Sequence, residues 1–268
     1  MIFNMYNGSV TIGNSEMYYA SFGTGSRTVV VIPGLSDGLT TVEGKALLLI
    51  KPYLRYLSKY TVYMFSRKDP LPAGTDIRQM AEDQAEAMRI LGIGKAYVTG
   101  VSQGGMIAQY LAADHPELVE KLALVVTAPC VNDTIRDNIE RWKDFAMKGD
   151  HASLMKDTAE KTYSDGYLRR NRLFLPFLRF VGKQKDYSRF LVNAHAILGF
   201  DATEDDSRIS CPTLIISGDS DKTVGTSAGE ELHRLITGSE FYTYKGLGHG
   251  LYEESRDFYR RVFDFFSR

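Results

Sequence analysis

Short runs rich in β-branched and aromatic residues alternate along this chain with longer segments that have the period of an amphipathic helix. Beyond residue 28 the short runs are apolar without clean alternation, which is typical of parallel strands that helices cover on both faces. The rhythm therefore predicts an α/β fold with a mostly parallel, doubly wound sheet. Strands are predicted at residues 16–22, 28–32, 61–65, 96–100, 122–126, 213–217 and 240–244, and helices at residues 42–58, 77–91, 105–115, 226–236 and 255–266.

The alternation breaks once, in a long segment that has only helical patterns, such as the apolar stripe through Phe190, Ala194 and Ile197. Pro176 is predicted to interrupt a helix there, because it lacks an N–H donor and crowds the preceding turn. A structureless loop of this length is uncommon in a compact domain. We therefore predict a helical cap at residues 131–208, inserted into a core formed by residues 1–130 and 209–268. An insertion at the sheet edge where ligands bind can act as a lid.

The composition favours a single catalytic domain with an insertion and a small, largely neutral ligand. The 268 residues are 44% hydrophobic, and 32 basic residues nearly balance 33 acidic ones. We therefore expect a small-molecule substrate and no nucleic-acid or membrane partner, with the oligomeric state left open. No apolar run reaches membrane-helix length and no targeting segment is recognisable, which predicts a cytoplasmic protein. Cys130 and Cys211 have no metal-like spacing and are interpreted as reduced structural thiols.

The strongest chemical signal is the sequence GVSQGG at residues 100–105, between a predicted strand and a predicted helix. This is a G-x-S-x-G motif in its required context, because the serine must occupy a tight turn that projects its hydroxyl from the sheet edge. The glycines keep side chains out of the turn, and free N–H groups at the start of the helix can stabilise negative charge. The pattern predicts Ser102 as a nucleophile, the alternative being an ordinary glycine turn.

A serine hydroxyl becomes a good nucleophile when a base removes its proton, so a histidine is expected on a loop beyond the last strand. His249, in GLGHG after that strand, fits better than the other four histidines, among which His195 lies on a helix that can line a pocket. A carboxylate should follow the preceding strand, giving the order Ser, Asp, His. There, Asp221 is favoured because it lies further into the loop, whereas Asp219 can satisfy backbone N–H groups of the turn.

With these motifs in place, the chain resembles the α/β-hydrolase superfamily of the type with a helical cap after the sixth strand. The resemblance runs from about residue 28 to residue 266 and includes IPGL at residues 32–35, MIAQYLA after the serine turn and HPE at the end of that helix. It implies the α/β-hydrolase fold and an oxyanion hole formed by the backbone N–H groups of Leu35 and Gln103. Pro33 replaces the histidine of the common His-Gly pair, and backbone donors tolerate this departure.

The resemblance and the motifs together imply a serine hydrolase that cleaves a small to medium carboxylic ester through an acyl-enzyme, with no cofactor or metal. The same triad also serves hydrolysis of lactones, of carbon–carbon bonds in β-diketones and of amides, and fold does not decide among them. A ligand-binding homologue without catalysis is the alternative from another class. The serine at the turn argues against the dehalogenase and epoxide-hydrolase branches, which have aspartate there.

The predicted cap is basic, with 13 basic and nine acidic residues between positions 131 and 200. A solvated helix face is the favoured interpretation, and a site for an anionic substrate is the alternative. Arg169, Arg170 and Arg172 form the cluster that would matter for an acidic substrate. The cap aromatics are expected to pack inside the lid rather than to form a substrate box; these are Trp142, Phe174, Phe177 and Phe180.

Overall fold

A computed structural model describes residues 4–268 and places eight strands in one sheet. The order across the sheet is β1-β2-β4-β3-β5-β6-β7-β8, with antiparallel pairing of β1 with β2 and of β2 with β4 and parallel pairing elsewhere. The predicted fold class, a mostly parallel α/β sheet of the α/β-hydrolase type, is confirmed. The strands are β1 (Met5–Ile12), β2 (Ser15–Gly23), β3 (Arg27–Ile32), β4 (Tyr60–Phe65), β5 (Ala96–Val101), β6 (Val119–Val125), β7 (Thr213–Gly218) and β8 (Glu240–Tyr244).

Ten α-helices and four short 3₁₀ helices surround this sheet in the part of the chain that the structure describes. The α-helices are α1 (Ala46–Leu49), α2 (Ile77–Ile90), α3 (Gln103–Asp114), α4 (Asp133–Met147), α5 (His151–Thr162), α6 (Asp165–Arg170), α7 (Ser188–Leu198), α8 (Ala228–Leu235), α9 (Leu251–Glu254) and α10 (Phe258–Ser267). The 3₁₀ helices are Leu35–Gly38, Lys51–Tyr53, Leu175–Phe180 and Asp205–Arg208. None of the helices described is long and apolar enough to cross a membrane.

The two faces of the sheet bury two separate apolar cores, because successive side chains of a strand point to opposite faces. In β3, Val30 and Ile32 belong to the core under α2, α3 and α8, whereas Val29 and Val31 belong to the core under α10. Residues of α4 and α7 join the first of these cores. Helices α4 and α7 are therefore anchored on one face of the sheet by the same apolar cluster that holds α3.

Two sequence expectations about local structure are wrong. Strand β1 was not predicted; it is a largely exposed edge strand that pairs with β2 through a tight turn at Gly13, which has φ +61°. The continuous helix predicted at residues 42–58 is instead the single turn α1 followed by the 3₁₀ helix Lys51–Tyr53. Pro52 stands at the start of that 3₁₀ helix, and a proline inside a longer helix would remove a hydrogen bond and clash with the preceding turn.

The segment between β6 and β7 contains α4 to α7 and no strand in the described chain. Pro176 interrupts helical structure as expected: α6 ends at Arg170, and the proline lies in the first turn of the 3₁₀ helix Leu175–Phe180. Trp142 packs inside this segment, where its Nε1 donates to Asp157 Oδ2 at 2.8 Å. The expectation of packing is wrong for the three phenylalanines, which are all more than 60% exposed; they are Phe174, Phe177 and Phe180.

Candidate active site

Ser102 stands in a strained turn between β5 and α3. Its backbone has φ 55° and ψ −121°, a region that side-chain-bearing residues rarely adopt, and the residue is half-buried. The turn also requires a glycine at position 104, because a Cβ there would lie 2.0 Å from the Ile32 carbonyl oxygen. Such strain persists only where surrounding packing enforces it, and it is concentrated at functional sites.

The loop after β3 lies against this serine. A Cβ placed on Gly34 would be 3.2 Å from Ser102 Cβ and 3.7 Å from its Oγ. Leu35 and Gln103 are the first residues of their helices, and first-turn N–H groups have no partner inside a helix. Within residues 4–268 neither N–H donates to a backbone carbonyl elsewhere. Two unused backbone donors thus belong to the two segments that meet at Ser102.

His249 and Asp221 form a buried hydrogen-bonded pair on the loops after β8 and β7. His249 Nδ1 lies 2.9 Å from Asp221 Oδ2, and the two residues are only 6% and 3% exposed. The other carboxylate oxygen, Oδ1, accepts from the N–H groups of Thr223 at 2.8 Å and Val224 at 3.0 Å. Three hydrogen bonds fix this carboxylate, which in turn fixes the orientation of the imidazole.

Asp219, the other carboxylate considered in that loop, is exposed and has a different set of partners. Its Oδ1 accepts from the Gly246 N–H at 2.7 Å and from the Ser220 hydroxyl at 2.9 Å. These bonds tie the loop after β7 to the loop after β8. Asp219 therefore supports the position of the histidine loop without touching the imidazole in this arrangement.

The structure brings the predicted residues together as two parts rather than one continuous chain of hydrogen bonds. Asp221 and His249 are bonded, but within residues 4–268 the Ser102 hydroxyl makes no hydrogen bond to His249. Both parts follow the carboxyl ends of parallel strands and so lie at the same edge of the sheet. Because Nδ1 is bonded to Asp221, Nε2 is the ring nitrogen left for a proton from another group.

A buried polar network that the sequence analysis did not predict lies beside the serine turn. Arg67 Nη2 donates to Gln103 Oε1 at 2.8 Å, and Gln103 Nε2 donates to the Asn193 carbonyl at 2.9 Å. Asp37, in the 3₁₀ helix Leu35–Gly38, accepts at Oδ2 from the Arg67 N–H at 2.9 Å and from Arg189 Nη2 at 2.7 Å. The network joins α7 to both segments that carry the predicted oxyanion donors.

Two guanidinium groups and one carboxylate make this network net positive. Burial lowers the pKa of Arg67 to about 10, against the opposing effect of Asp37, so the group stays charged near neutral pH. The adjoining cavity at Arg67 holds only about 10 Å³, the size of one water and too small for an organic anion. Arg67 and Arg189 therefore bind groups of the protein itself, namely Gln103, Asp37 and the Arg67 carbonyl. The sequence signal that could have indicated this network is a charged residue two positions after a mostly buried strand, as Arg67 follows β4.

The other four histidines have partners or positions remote from the Asp221 pair. His115 lies 2.9 Å from Glu82, buried His151 contacts the Val181 carbonyl at 2.8 Å, and His233 lies 2.9 Å from Ser239 Oγ. His195 is on the exposed face of α7. Cys130 and Cys211 are free thiols.

Comparison with known proteins agrees with this architecture. A family model described as the alpha/beta hydrolase fold matches residues 28–255, and the chain belongs to this family. It is thus an α/β-hydrolase by fold and by sequence.

Three similar proteins illustrate the range of this family. The chain is 29% identical over 186 residues to RutD of Klebsiella pneumoniae, named as a candidate carbamate hydrolase, which covers 67% of this chain and 68% of RutD. It is 24% identical over 274 residues to human serine hydrolase BPHL, covering 94% of this chain and 83% of that protein. The structure of an enol-lactonase from Burkholderia xenovorans superposes with a TM-score of 0.80 at 22% identity, over 97% of this chain and 100% of the other, which shows a common fold.

Proposed function

We propose that this protein is a serine hydrolase that cleaves small to medium carboxylic esters. Ser102 is the nucleophile, His249 the general base and Asp221 the acid that orients it. The observation that carries the proposal is the buried 2.9 Å hydrogen bond between His249 Nδ1 and Asp221 Oδ2, at the same sheet edge as the strained Ser102 turn. Such a carboxylate fixes the imidazole tautomer and stabilises the imidazolium that forms during catalysis.

The proposed reaction is acyl transfer in two steps. His249 Nε2 takes the proton of Ser102 as Oγ attacks the ester carbonyl, and the N–H groups of Leu35 and Gln103 hold the oxyanion. The imidazolium then protonates the leaving alcohol, which departs and leaves an acyl-serine. Water, deprotonated by the same nitrogen, attacks that acyl group and releases the acid, restoring the free serine.

The central test is covalent labelling of the serine, combined with turnover of activated esters. A fluorophosphonate probe should label the wild-type protein, and p-nitrophenyl acetate should be hydrolysed. Both signals should vanish in Ser102→Ala and persist in the matched control Ser58→Ala, which removes an exposed serine hydroxyl just before the amino end of β4, away from the site. A folded protein that is neither labelled nor active on any substrate would support the non-catalytic, ligand-binding alternative.

Acyl-chain length tests the size range of the proposed substrate. Each methylene buried before a pocket is full adds about 0.8 kcal/mol, roughly a fourfold gain in kcat/KM, whereas a methylene that no longer fits adds nothing. A site covered by a helical cap should therefore give kcat/KM values that rise and then fall along a series of p-nitrophenyl esters, with the maximum at short to medium chains. A continuous rise into long-chain esters would instead indicate a lipase.

Other acyl compounds compete with simple esters on the same residues. The similarity to RutD makes carbamates, and the shared fold with an enol-lactonase makes lactones, the first alternatives to assay. β-Diketones and amides complete the panel, because the chemistry of the triad admits them. The substrate class with the highest kcat/KM defines the activity. If another class has a higher kcat/KM than the esters, the ester proposal is wrong, but Ser102 remains the proposed nucleophile.

A further inference from the structure

The outer side of the cap presents an unusual concentration of exposed apolar side chains. We call residues 165–186 the cap edge; it contains α6 and the 3₁₀ helix Leu175–Phe180. Five of the twelve large hydrophobic residues exposed in the described chain fall within nine positions of this edge, with exposed fractions of 54 to 75%; they are Leu173, Phe174, Phe177, Phe180 and Val181. Exposed apolar residues are normally scattered, and a contiguous patch marks a binding surface.

The same edge is strongly basic, although the whole chain has a formal charge of −1. It carries six basic residues against two acidic ones, Asp165 and Asp186. All six cations are exposed, and none takes part in an ion pair with residues of the described chain; they are Arg169, Arg170, Arg172, Arg179, Lys183 and Lys185. Exposed phenylalanines interleaved with unpaired arginines and lysines are the composition of segments that lie on anionic lipid surfaces.

A groove between the cap edge and α5 has the same combination of properties. Its volume is about 330 Å³, and its apolar lining comes from Ala152, Ala159, Leu168, Leu175 and Leu178. Exposed charged side chains also line it: Lys156 pairs with Glu160 at 3.9 Å, and Arg172 and Arg179 form no ion pair in the described chain. An apolar floor beside cations fits an acyl chain that ends in an anionic headgroup.

We propose that the cap edge binds the surface of an anionic phospholipid bilayer. The phenylalanines enter the boundary between headgroups and acyl chains, and the arginines contact lipid phosphates. A two-fold contact between two copies would place one basic edge against the other, which like-charge repulsion opposes. The sequence analysis expected no membrane partner because net charge and apolar run length suggested none, but surface adsorption depends on the local charge and apolar area of one face.

The test is cosedimentation of the full chain with vesicles of phosphatidylcholine, with and without phosphatidylglycerol. Binding should require phosphatidylglycerol and weaken with salt, because the screening length falls from about 10 Å at 0.1 M to about 3 Å at 1 M ionic strength. Replacing Arg169, Arg170 and Arg172 with Gln should lower the partition coefficient at least about tenfold. Phe174→Ser combined with Phe177→Ser should lower it by at least a similar factor.

Matched controls lie at the opposite edge of the sheet. Ile90 is 52% exposed at the end of α2, and Lys95 is exposed just before the amino end of β5. Ile90→Ser and Lys95→Gln remove one apolar and one basic side chain and should leave binding unchanged. Thermal unfolding followed by circular dichroism verifies that each variant is folded.

Several results would overturn the proposal. They are absence of binding to phosphatidylglycerol vesicles, equal binding to neutral vesicles, or cap-edge variants that bind as well as the wild type. Dimerisation that the phenylalanine variant abolishes would assign the surface to a second copy instead. The measurements are repeated on Ser102→Ala protein, because adsorption requires no turnover; the inference thus stands or falls separately from the hydrolase function.

Discussion

Arg67 and Arg189 lie where α7 packs beside the Ser102 turn, whereas Arg169, Arg170 and Arg172 lie on the exposed cap edge. Arg67 is buried; it donates to Gln103 and lies 3.8 Å from Asp37. Arg189 is largely buried and donates to Asp37 and to the Arg67 carbonyl. The exposed arginines have no ion-pair partner in the described chain and remain available to a ligand. The contrast teaches that an arginine buried among acceptors fixes neighbouring protein groups, whereas an arginine in solvent stays free to bind an external anion.

The largest effect should come from the Ser102 turn, which lies beside the buried arginines of this comparison. Ser102→Ala should lower kcat by about a millionfold, the scale on which such triads lose their serine, while leaving the fold intact. Ester hydrolysis and the melting temperature are measured on the same preparation. Wild-type activity in this variant would mean that the nucleophile lies elsewhere.

The next effect distinguishes Asp221 from Asp219, the two carboxylates of the loop after β7. Asp221→Asn should lower kcat by about a thousandfold or more, because it disturbs the imidazole tautomer and removes the charge opposite the imidazolium. Asp219→Asn changes an exposed residue bonded to Gly246 and Ser220 and should cost far less. Steady-state kinetics of both variants decides the assignment, and a larger loss in the Asp219 variant would reverse it.

Stability measurements compare the buried and exposed arginines directly. Arg189→Met removes the closest cation of a carboxylate that is only 1% exposed, and breaking such a pair costs about 3 to 5 kcal/mol. Arg170→Met, on the cap edge, should change the free energy of unfolding by no more than about 0.5 kcal/mol. Urea unfolding of the two variants gives both values. Equal values would show that the Asp37 network does not hold α7 against the serine turn.

A buried aspartate without a cation supplies the most gradual effect, because it is spread over several pH units. Burial, together with the charges of Asp205 and Asp201, raises the pKa of Asp206 to about 8, and neither carboxyl oxygen has a hydrogen-bond partner in the described chain. The unfolded value is about 3.9, so the folded state binds the proton more tightly. Its stabilising contribution is complete below the unfolded pKa and is lost as pH rises through about 8.

Asp206→Asn should remove this part of the pH dependence and make the protein more stable than the wild type on the alkaline side. The test is to measure urea midpoints from the unfolded pKa of about 3.9 to above the folded pKa of about 8. Asp219→Asn is the control, because it changes an exposed carboxylate. An unchanged pH profile would indicate that Asp206 is ionised in the folded protein. Asp206 would then resemble Asp37 in being a buried, charged aspartate, although only Asp37 has two arginines that compensate its charge.

Much of the core could be predicted because its signals are local. The turn at Ser102 depends on glycines within a few positions, and short apolar runs indicated β3 to β8 because buried parallel strands have that composition. The edge strand β1 was not predicted because most of its residues face solvent and its sequence contains no apolar run. The prediction of one helix at residues 42–58 was wrong because Pro52 lacks an N–H donor and cannot continue a helix, although the apolar pattern around it is helical.

The sequence by itself determined the strand, turn and helix around Ser102 and the chain order of serine, aspartate and histidine. It could not determine which charged side chains would be buried, since Arg189 and Arg170 look alike in a basic, helical segment. The partner of Arg189 is Asp37, 152 positions away, and only the packing of α7 against the 3₁₀ helix Leu35–Gly38 brings them together. Likewise, only the tertiary structure left Phe174 and Phe177 in solvent, because burial depends on which surfaces find an apolar partner and not on hydrophobicity alone.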